Sequence, residues 1–313
     1  MKKILLSVAT IAFVGAAATT LSGAFYKDVE TSTGNTFTAG GLELKVDSES
    51  HYNGMVCTDM GAVDPRYQWQ APAGTESAEF PVEGSECNGT WSETDLEDGV
   101  HKFFYFTDLK PGDEGEDTIS LHVYENDAWG QFVIDNVIDR DNTCTDPEQE
   151  VEGVGVCVDP DGDGEIDNYL VFNGWLDQGT MPGFQNGDPT GAIIDPYEGD
   201  NIYQPEEGPY FWEDELISNL GPFDLSDVFS AAYREYCIDP AGVPIPSPDG
   251  HNDYGYCHGL AEDGRMVEST TYYFGLAWDF PLATGNDAQT DEYTADMTFR
   301  VEQHRNNPIP FLN

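Results

Sequence analysis

The stretch Ile119-Ser120-Leu121-His122-Val123-Tyr124 alternates apolar with polar side chains, the period-two pattern of a strand buried on one face. Leu42, Leu44 and Val46 repeat the pattern around Glu43 and Lys45, and Ala295, Met297, Phe299 and Val301 repeat it between Thr294 and Glu302. Val100 to Phe106 and Tyr272 to Phe280 are aromatic-rich, which predicts strands buried more fully. Pro111-Gly112 suits the two central positions of a type II turn just ahead of the opening stretch. Together these segments predict an all-β chain folded as a β-sandwich.

The strand-like segments cluster at about residues 25–138 and 270–303. Between them, about residues 139–269 are rich in Gly, Pro and Asp, which predicts a large loop-rich insertion within a single sandwich domain spanning 24–313. Phe211 to Tyr236 is the exception. Trp212, Leu216 and Leu220, then Leu225, Val228, Phe229 and Ala232, recur at helical spacing, and Gly221-Pro222 breaks the run. Short helices are expected there, the second capped by Asp224 or Ser226.

Lys2 and Lys3 precede an apolar run from Ile4 to about Leu21, followed by the small residues Ser22, Gly23 and Ala24. That is the layout of a secretory signal peptide over residues 1–23, cleaved between Gly23 and Ala24. A retained anchor helix is the alternative, so membrane contact is expected only through the uncleaved signal. The mature chain is expected to be secreted, extracellular or part of a cell-surface matrix. None of the 59 Asp and Glu lies in the signal, so cleavage leaves the chain even more acidic than its formal −47. Such a field repels nucleic acid and anionic lipid and attracts cations. It fits a high-salt habitat or a surface neutralised by divalent ions. At 39% apolar and 12% aromatic residues, a disordered acidic chain is excluded.

Six cysteines, Cys57, Cys87, Cys144, Cys157, Cys237 and Cys257, all follow the signal. An even number in an exported chain favours disulfides, and sequential pairing would close modest polar loops.

The sharpest local motif is Asp159-Pro-Asp161-Gly-Asp163-Gly-Glu165-Ile-Asp167. Alternate carboxylates with glycine at the sixth position let a tight loop wrap hard oxygens around Ca²⁺. Asp159, Asp161 and Asp163 would bind through side chains, Glu165 through its backbone carbonyl, and Asp167 directly or through water. The twelfth position is Leu170 where an EF-hand carries glutamate, so a shorter aspartate-rich calcium loop is expected. A chance Asp/Gly turn is the bland reading in so acidic a chain. No catalytic activity is expected, because H-E-x-x-H, G-x-S-x-G and P-loop patterns are all missing. His251 and His258 flank Cys257 and fit a disulfide corner. Asn88-Gly89-Thr90 reads equally well as an N-glycosylation sequon or a polar turn beside Cys87.

From Ala24 the chain runs Ala24-Phe-Tyr-Lys-Asp-Val-Glu-Thr-Ser-Thr-Gly-Asn-Thr-Phe-Thr-Ala-Gly-Gly-Leu-Glu-Leu-Lys-Val46. This resembles the TasA/camelysin family of exported biofilm-matrix proteins, in which a signal cut by a dedicated peptidase runs into such a segment ending A-G-x-L-x-L. Phe106-Thr-Asp-Leu-Lys-Pro-Gly-Asp113 is similar to the family's D-L-x-P-G-D turn, and Ser120 to Phe132 to the strand after it. Gly285-Asn-Asp-Ala-Gln-Thr-Asp291, with Phe299 and Glu302-Gln-His-Arg-Asn-Asn307, resembles the closing strand and its lead-in.

The resemblance implies a jelly-roll-like sandwich that assembles into extracellular fibres, self-association being the main partnership beside other matrix or surface proteins. It also implies that the mature N-terminal segment, anchored by Phe25, Tyr26 and Phe37, leaves its own subunit and completes the next one's sheet. Exposed sheet edges accept strands in this way, and a head-to-tail contact that does not close propagates into a filament. The expectation is therefore a calcium-stiffened fibre or matrix subunit. The alternatives are a monomeric cell-surface module that binds carbohydrate or protein, and a camelysin-type secreted metalloprotease.

Overall fold

The computed structural model describes residues 41–143, 145–148, 163–187, 194–245, 257–308 and 310–311. The stretch Ile119–Tyr124 forms the second half of β5 (Glu114–Tyr124), and Ile119, Leu121 and Val123 are fully buried. β5 pairs along its whole length with β1 (Glu43–Tyr52) on one side and β10 (Thr270–Asp279) on the other, both antiparallel. β2 (Met55–Asp59), β3 (Tyr67–Gln70) and β4 (Trp91–Thr94) extend the sheet beyond β1, while β7 (Val171–Leu176) and β8 (Trp212–Leu216) extend it beyond β10. A smaller antiparallel sheet holds β11 (Glu292–Gln303), β6 (Ala128–Arg140) and β9 (Phe223–Asp224), in that order. The result is an all-β sandwich, jelly-roll-like but with unequal sheets.

The core lies where Ile119, Leu121, Phe274 and Leu276 of the large sheet meet Phe132 of the small one. Phe132 and Phe299 rings stand 5.1 Å apart, and Phe103 reaches Phe299 at 5.9 Å. The inward residues of the small sheet are covered less well. Ile134, Met297, Phe299 and Val301 pack on the core but stay only partly buried. A second cluster, around Tyr52, Met55, Trp69, Phe172 and Trp278, fills one end of the large sheet.

Helix α1 (Leu225–Tyr236) forms as its spacing predicts and sinks Leu225, Phe229 and Tyr233 into the main core. Asp224 stands at its N-cap, but its carboxylate accepts from Gln131 Nε2 (2.9 Å) and makes no cap bond. The first half of the expected helical run is different. Trp212–Leu216 is strand β8, with Asp214 donating its backbone N–H to Asn173 Oδ1 (2.8 Å) at an irregularity in the ladder. The open edge of β7 recruited a segment whose helical spacing lacked a capping residue. The insertion of about residues 139–269 thus supplies strands to both sheets as well as helix and loops.

Val100–Phe106, expected as a strand, has no ladder. Its aromatic rings go to different places: Phe103 packs on Trp91 (5.1 Å), Phe104 on Phe172 (5.5 Å) and Phe106 on Trp278 (4.7 Å). Rings that must reach both clusters cannot keep the strict alternation of a strand.

The Pro111-Gly112 turn forms as expected. Asp113 N–H donates to Lys110 O (2.9 Å), and Gly112 takes φ +95°, as the third position of a type II turn requires. Asp113 then gathers the end of the large sheet, its carboxylate accepting from Lys110 N–H (2.7 Å), Tyr52 Oη (2.7 Å) and Asn53 Nδ2 (2.9 Å). The disulfide Cys57–Cys87 staples the same end, and Cys237–Cys257 ties the last turn of α1 to the loop before β10. These are two of the expected sequential pairs, each stabilising by about 3–4 kcal/mol through loop closure. Cys144 and Cys157 lie outside the described residues. Asp113→Ala strands the three donors, so urea unfolding should show a loss of about 2–4 kcal/mol, and Asp113→Asn a smaller one.

Candidate functional site

Of the acidic motif, Asp163, Glu165 and Asp167 are described, whereas Asp159 and Asp161 lie outside the described residues, as do Gly23, Ala24, Phe25, Tyr26, Phe37 and His251. The described half docks on the end of the small sheet. Gly164 donates its N–H to Asp139 Oδ1 (3.1 Å), near the end of β6. Glu165 donates its N–H to Asp291 Oδ2 (2.7 Å), the residue just before β11. A Cβ on Gly164 would stand 2.8 Å from Arg140 O, so only glycine allows this approach. A single 3-10 turn, Ile166–Asn168, follows, and Glu165 O accepts the Asn168 N–H within it (3.1 Å).

Three segments therefore bring carboxylates to one place: the end of β6, the 163–167 loop and the lead-in to β11. Sequence reasoning missed Asp139 and Asp291. The available signal was the Gly285–Asp291 motif, whose closing aspartate is the one used here.

Burial pushes Asp139 up to about 6, and the charges of Asp167, Asp163 and Asp291 push the same way, against the Gly164 hydrogen bond. Asp167 is raised by burial and then by Asp163. Asp291 is raised by burial, with Asp141 and Glu148 adding to it, although bonds from Glu165 oppose the shift. Asp291 Oδ1 and Asp287 Oδ1 are buried without a hydrogen-bond partner. Mutually repelling carboxylates, with a buried Asp291 oxygen left unpaired, make an all-oxygen cluster of the chemistry that hard cations favour. Among the described residues alone, no group of three or more His, Cys, Asp or Glu side chains lies in metal-holding geometry.

A second acidic group has a different character. Residues 177–187 and 194–208 form a strap over the outer face of the large sheet, with Gly199 against the Tyr273 ring. Asp177, Asp195, Glu198 and Glu207 are all buried within it. Their acceptors meet main-chain donors: Gly199 (3.1 Å) and Asn201 (2.9 Å) on Asp177, Gly179 (2.8 Å) and Gln204 (2.8 Å) on Glu207, and Met181 (2.8 Å) on Asp195. The Asp177 and Glu207 carboxyls also act on each other. Burial raises both, and raises Glu198 to about 9. These carboxyls replace a strand ladder in holding an irregular segment.

On the same outer face, His122 Nε2 meets Asp47 Oδ2 while Nδ1 meets Thr271 Oγ1 (3.0 Å). The row crosses β1, β5 and β10, and Tyr124 stacks beside it at 6.5 Å. It is a cross-strand polar ladder that the alternating pattern of β5 presents outward.

No protein-family model matches this chain, and no curated protein matches it. Among the described residues no helix is long and apolar enough to cross a membrane. The two disulfides are compatible with an extracellular location.

Groups whose carboxyls hold protons more tightly when folded lose stabilising power as pH rises. Asp139, ordinarily near 3.8, acts up to about 6, and Glu198, ordinarily near 4.5, acts up to about 9. In chelator the melting temperature should therefore fall between pH 5 and pH 9. Glu198→Gln should flatten the upper part of that curve, and an unchanged slope would remove Glu198 as its source.

Proposed function

We propose that this chain is a secreted structural subunit of extracellular fibres or a biofilm matrix, assembling by exchange of its N-terminal strand and stiffened by calcium. The observation that carries the proposal is the incomplete small sheet. β11 has β6 on one side and no described strand on the other, over twelve residues from Glu292 to Gln303. β9 pairs only Gln131 and Phe132 of β6, leaving Val133 to Arg140 open on that side among the described residues, with Val137 and Ile138 exposed. An edge of this kind offers unpaired N–H and C=O groups over a half-covered core, the template that strand addition uses.

The family resemblance supports the same reading. Its quoted stretches coincide with β1, the Asp113 turn, β5, the start of β6, and β11 with its lead-in, the elements from which the sandwich is built. The mature segment from Ala24 is the candidate donor, with Phe25, Tyr26 and Phe37 as its apolar anchors.

Calcium belongs to the proposal because of the carboxylates at the end of the small sheet. Asp159, Asp161, Asp163 and Asp167 by their side chains and Glu165 by its carbonyl, with Asp139 from β6 and Asp291 from the lead-in to β11, would hold it. The ion would supply positive charge among mutually repelling carboxylates and join three chain segments. A role without catalysis follows from this reading, since every feature invoked is one of packing, pairing or charge.

Electron microscopy of the mature chain with and without Ca²⁺ tests assembly. Filaments are expected, and deletion of residues 24–36 should abolish them. Monodisperse particles under every condition would exclude the fibre reading and favour a monomeric surface-binding module. For the ion, saturating Ca²⁺ should raise the melting temperature by about 5–10 °C. Asp161→Asn with Asp163→Asn should remove that rise, as should Asp291→Asn; an undiminished response would place calcium elsewhere.

A further inference from the structure

The large sheet carries a half-open cleft of about 230 Å³ at the end stapled by Cys57–Cys87. Aromatic rings of Trp69, Phe80 and Tyr105 wall it, with Thr107, Glu86 and Asn88 among its polar lining. Tyr105 remains 49% exposed and Phe80 39% exposed, although aromatic residues of this size usually find cover. Lys102 Nζ sits 4.3 Å from the Tyr105 ring centroid and Lys110 Nζ 5.3 Å from that of Phe80. Two of the chain's few cations thus stand against rings that line the cleft.

Asn88 is exposed, lines the cleft, and opens the sequon Asn88-Gly89-Thr90. The backbone around it is pinned on both sides. Cys87 is held by its disulfide and by its N–H on Tyr67 O (3.1 Å). Thr90 Oγ1 accepts the Ser50 N–H (3.0 Å). Gly89, at φ +97°, lies so close that a Cβ would meet Ser50 Cβ at 2.7 Å and Phe103 O at 2.8 Å. The fold thus holds an acceptor asparagine in one place, at the rim of an aromatic cleft.

We propose that Asn88 is an N-glycosylation site whose first sugar ring seats in this cleft against Tyr105 and Phe80. The donor would be a polyprenyl (pyro)phosphate-linked oligosaccharide of the exporting cell. The Asn88 amide nitrogen attacks the anomeric carbon and a C–N bond forms. The C–O bond to phosphate breaks with its electron pair, and the amide proton passes to the transferase base. A pyranose offers a C–H face to aromatic rings and hydroxyls to Thr107 and Glu86, a match for the mixed lining. The volume suits one ring, being below the roughly 300–1,000 Å³ of pockets for larger ligands. A covalent tether at the rim makes even a weak seat occupied, since the effective concentration is high. The proposal rests on the export part of the proposed function and is independent of fibre assembly.

The test is peptide mass spectrometry across Asn88 on full-length protein from its native host, with the cell fraction recorded. A hexose- or hexosamine-based mass increment on Asn88 is expected, lost in Asn88→Gln and kept in Thr90→Ser. Extracellular protein with unmodified Asn88 overturns the proposal and leaves the fibre reading standing; cytoplasmic protein overturns both. For the seat, Tyr105→Ala should lower the melting temperature of the glycosylated protein by about 2–4 °C more than that of Asn88→Gln. Equal shifts in the two backgrounds overturn the seat.

Discussion

The β1–β5–β10 ladder is the constraint on which the other elements hang. Ten register pairs join β5 to each neighbour, so the ladder itself fixes the inward row Ile119, Leu121, Val123, Tyr272, Phe274 and Leu276. That apolar face is wider than a three-stranded partner can bury. The fold makes up the difference with material that is not sheet: α1 brings Phe229 to within 4.7 Å of Tyr272, and the irregular segment after Val100 brings Phe103 against Trp91. Each such ring contributes about 1.5–3 kcal/mol by leaving water. What stays under-covered is the side of the small sheet, where Met297, Phe299 and Val301 are only partly buried.

A chain with 59 acidic residues and 12 basic ones must place carboxylates where no lysine or arginine can answer them. Two physical solutions are visible. In the strap, Asp177, Asp195, Glu198 and Glu207 accept main-chain N–H groups, so their burial organises a segment without regular structure. At the end of β6 the solution is different. Asp139, Asp167 and Asp291 have few donors, and the charges acting on them most strongly are negative. The first group is complete in itself. The second keeps its mutual repulsion among the described residues.

Sequence legibility followed the same divide. Strands whose pattern reflects one buried face, β1, β5 and β11, were readable because alternation is a local property, and β10 was readable from its aromatic run. The Pro111-Gly112 turn was readable because its backbone conformation restricts the residue types. Trp212–Leu216 was misread because an edge in need of a partner outweighed local spacing, a tertiary effect that no window of sequence contains. The Val100–Phe106 segment failed for a related reason, its rings being claimed by two separate clusters. In the acidic site, spacing pointed to the 163–167 stretch, which docks on the end of the small sheet. Asp139 and Asp291 were not legible, because they reach it across distances of 25 and 126 residues.

The position of that acidic site bears on how assembly would work. Asp139 and Asp291 flank the pair Arg140–Glu292, where the β6–β11 ladder begins. An ion bound there would fix the register of the strand that presents the open edge, while leaving the edge itself free. Under the fibre reading, calcium is then an ordering ligand for the acceptor and not the joint between subunits. Linkage makes the effect reciprocal: an incoming strand that orders β11 would tighten calcium by the same factor by which calcium favours the strand. Screening salt would ease the repulsion among these carboxylates without joining the segments that carry them. High salt and calcium would therefore act differently on the same residues, one by lowering a cost and the other by building a contact.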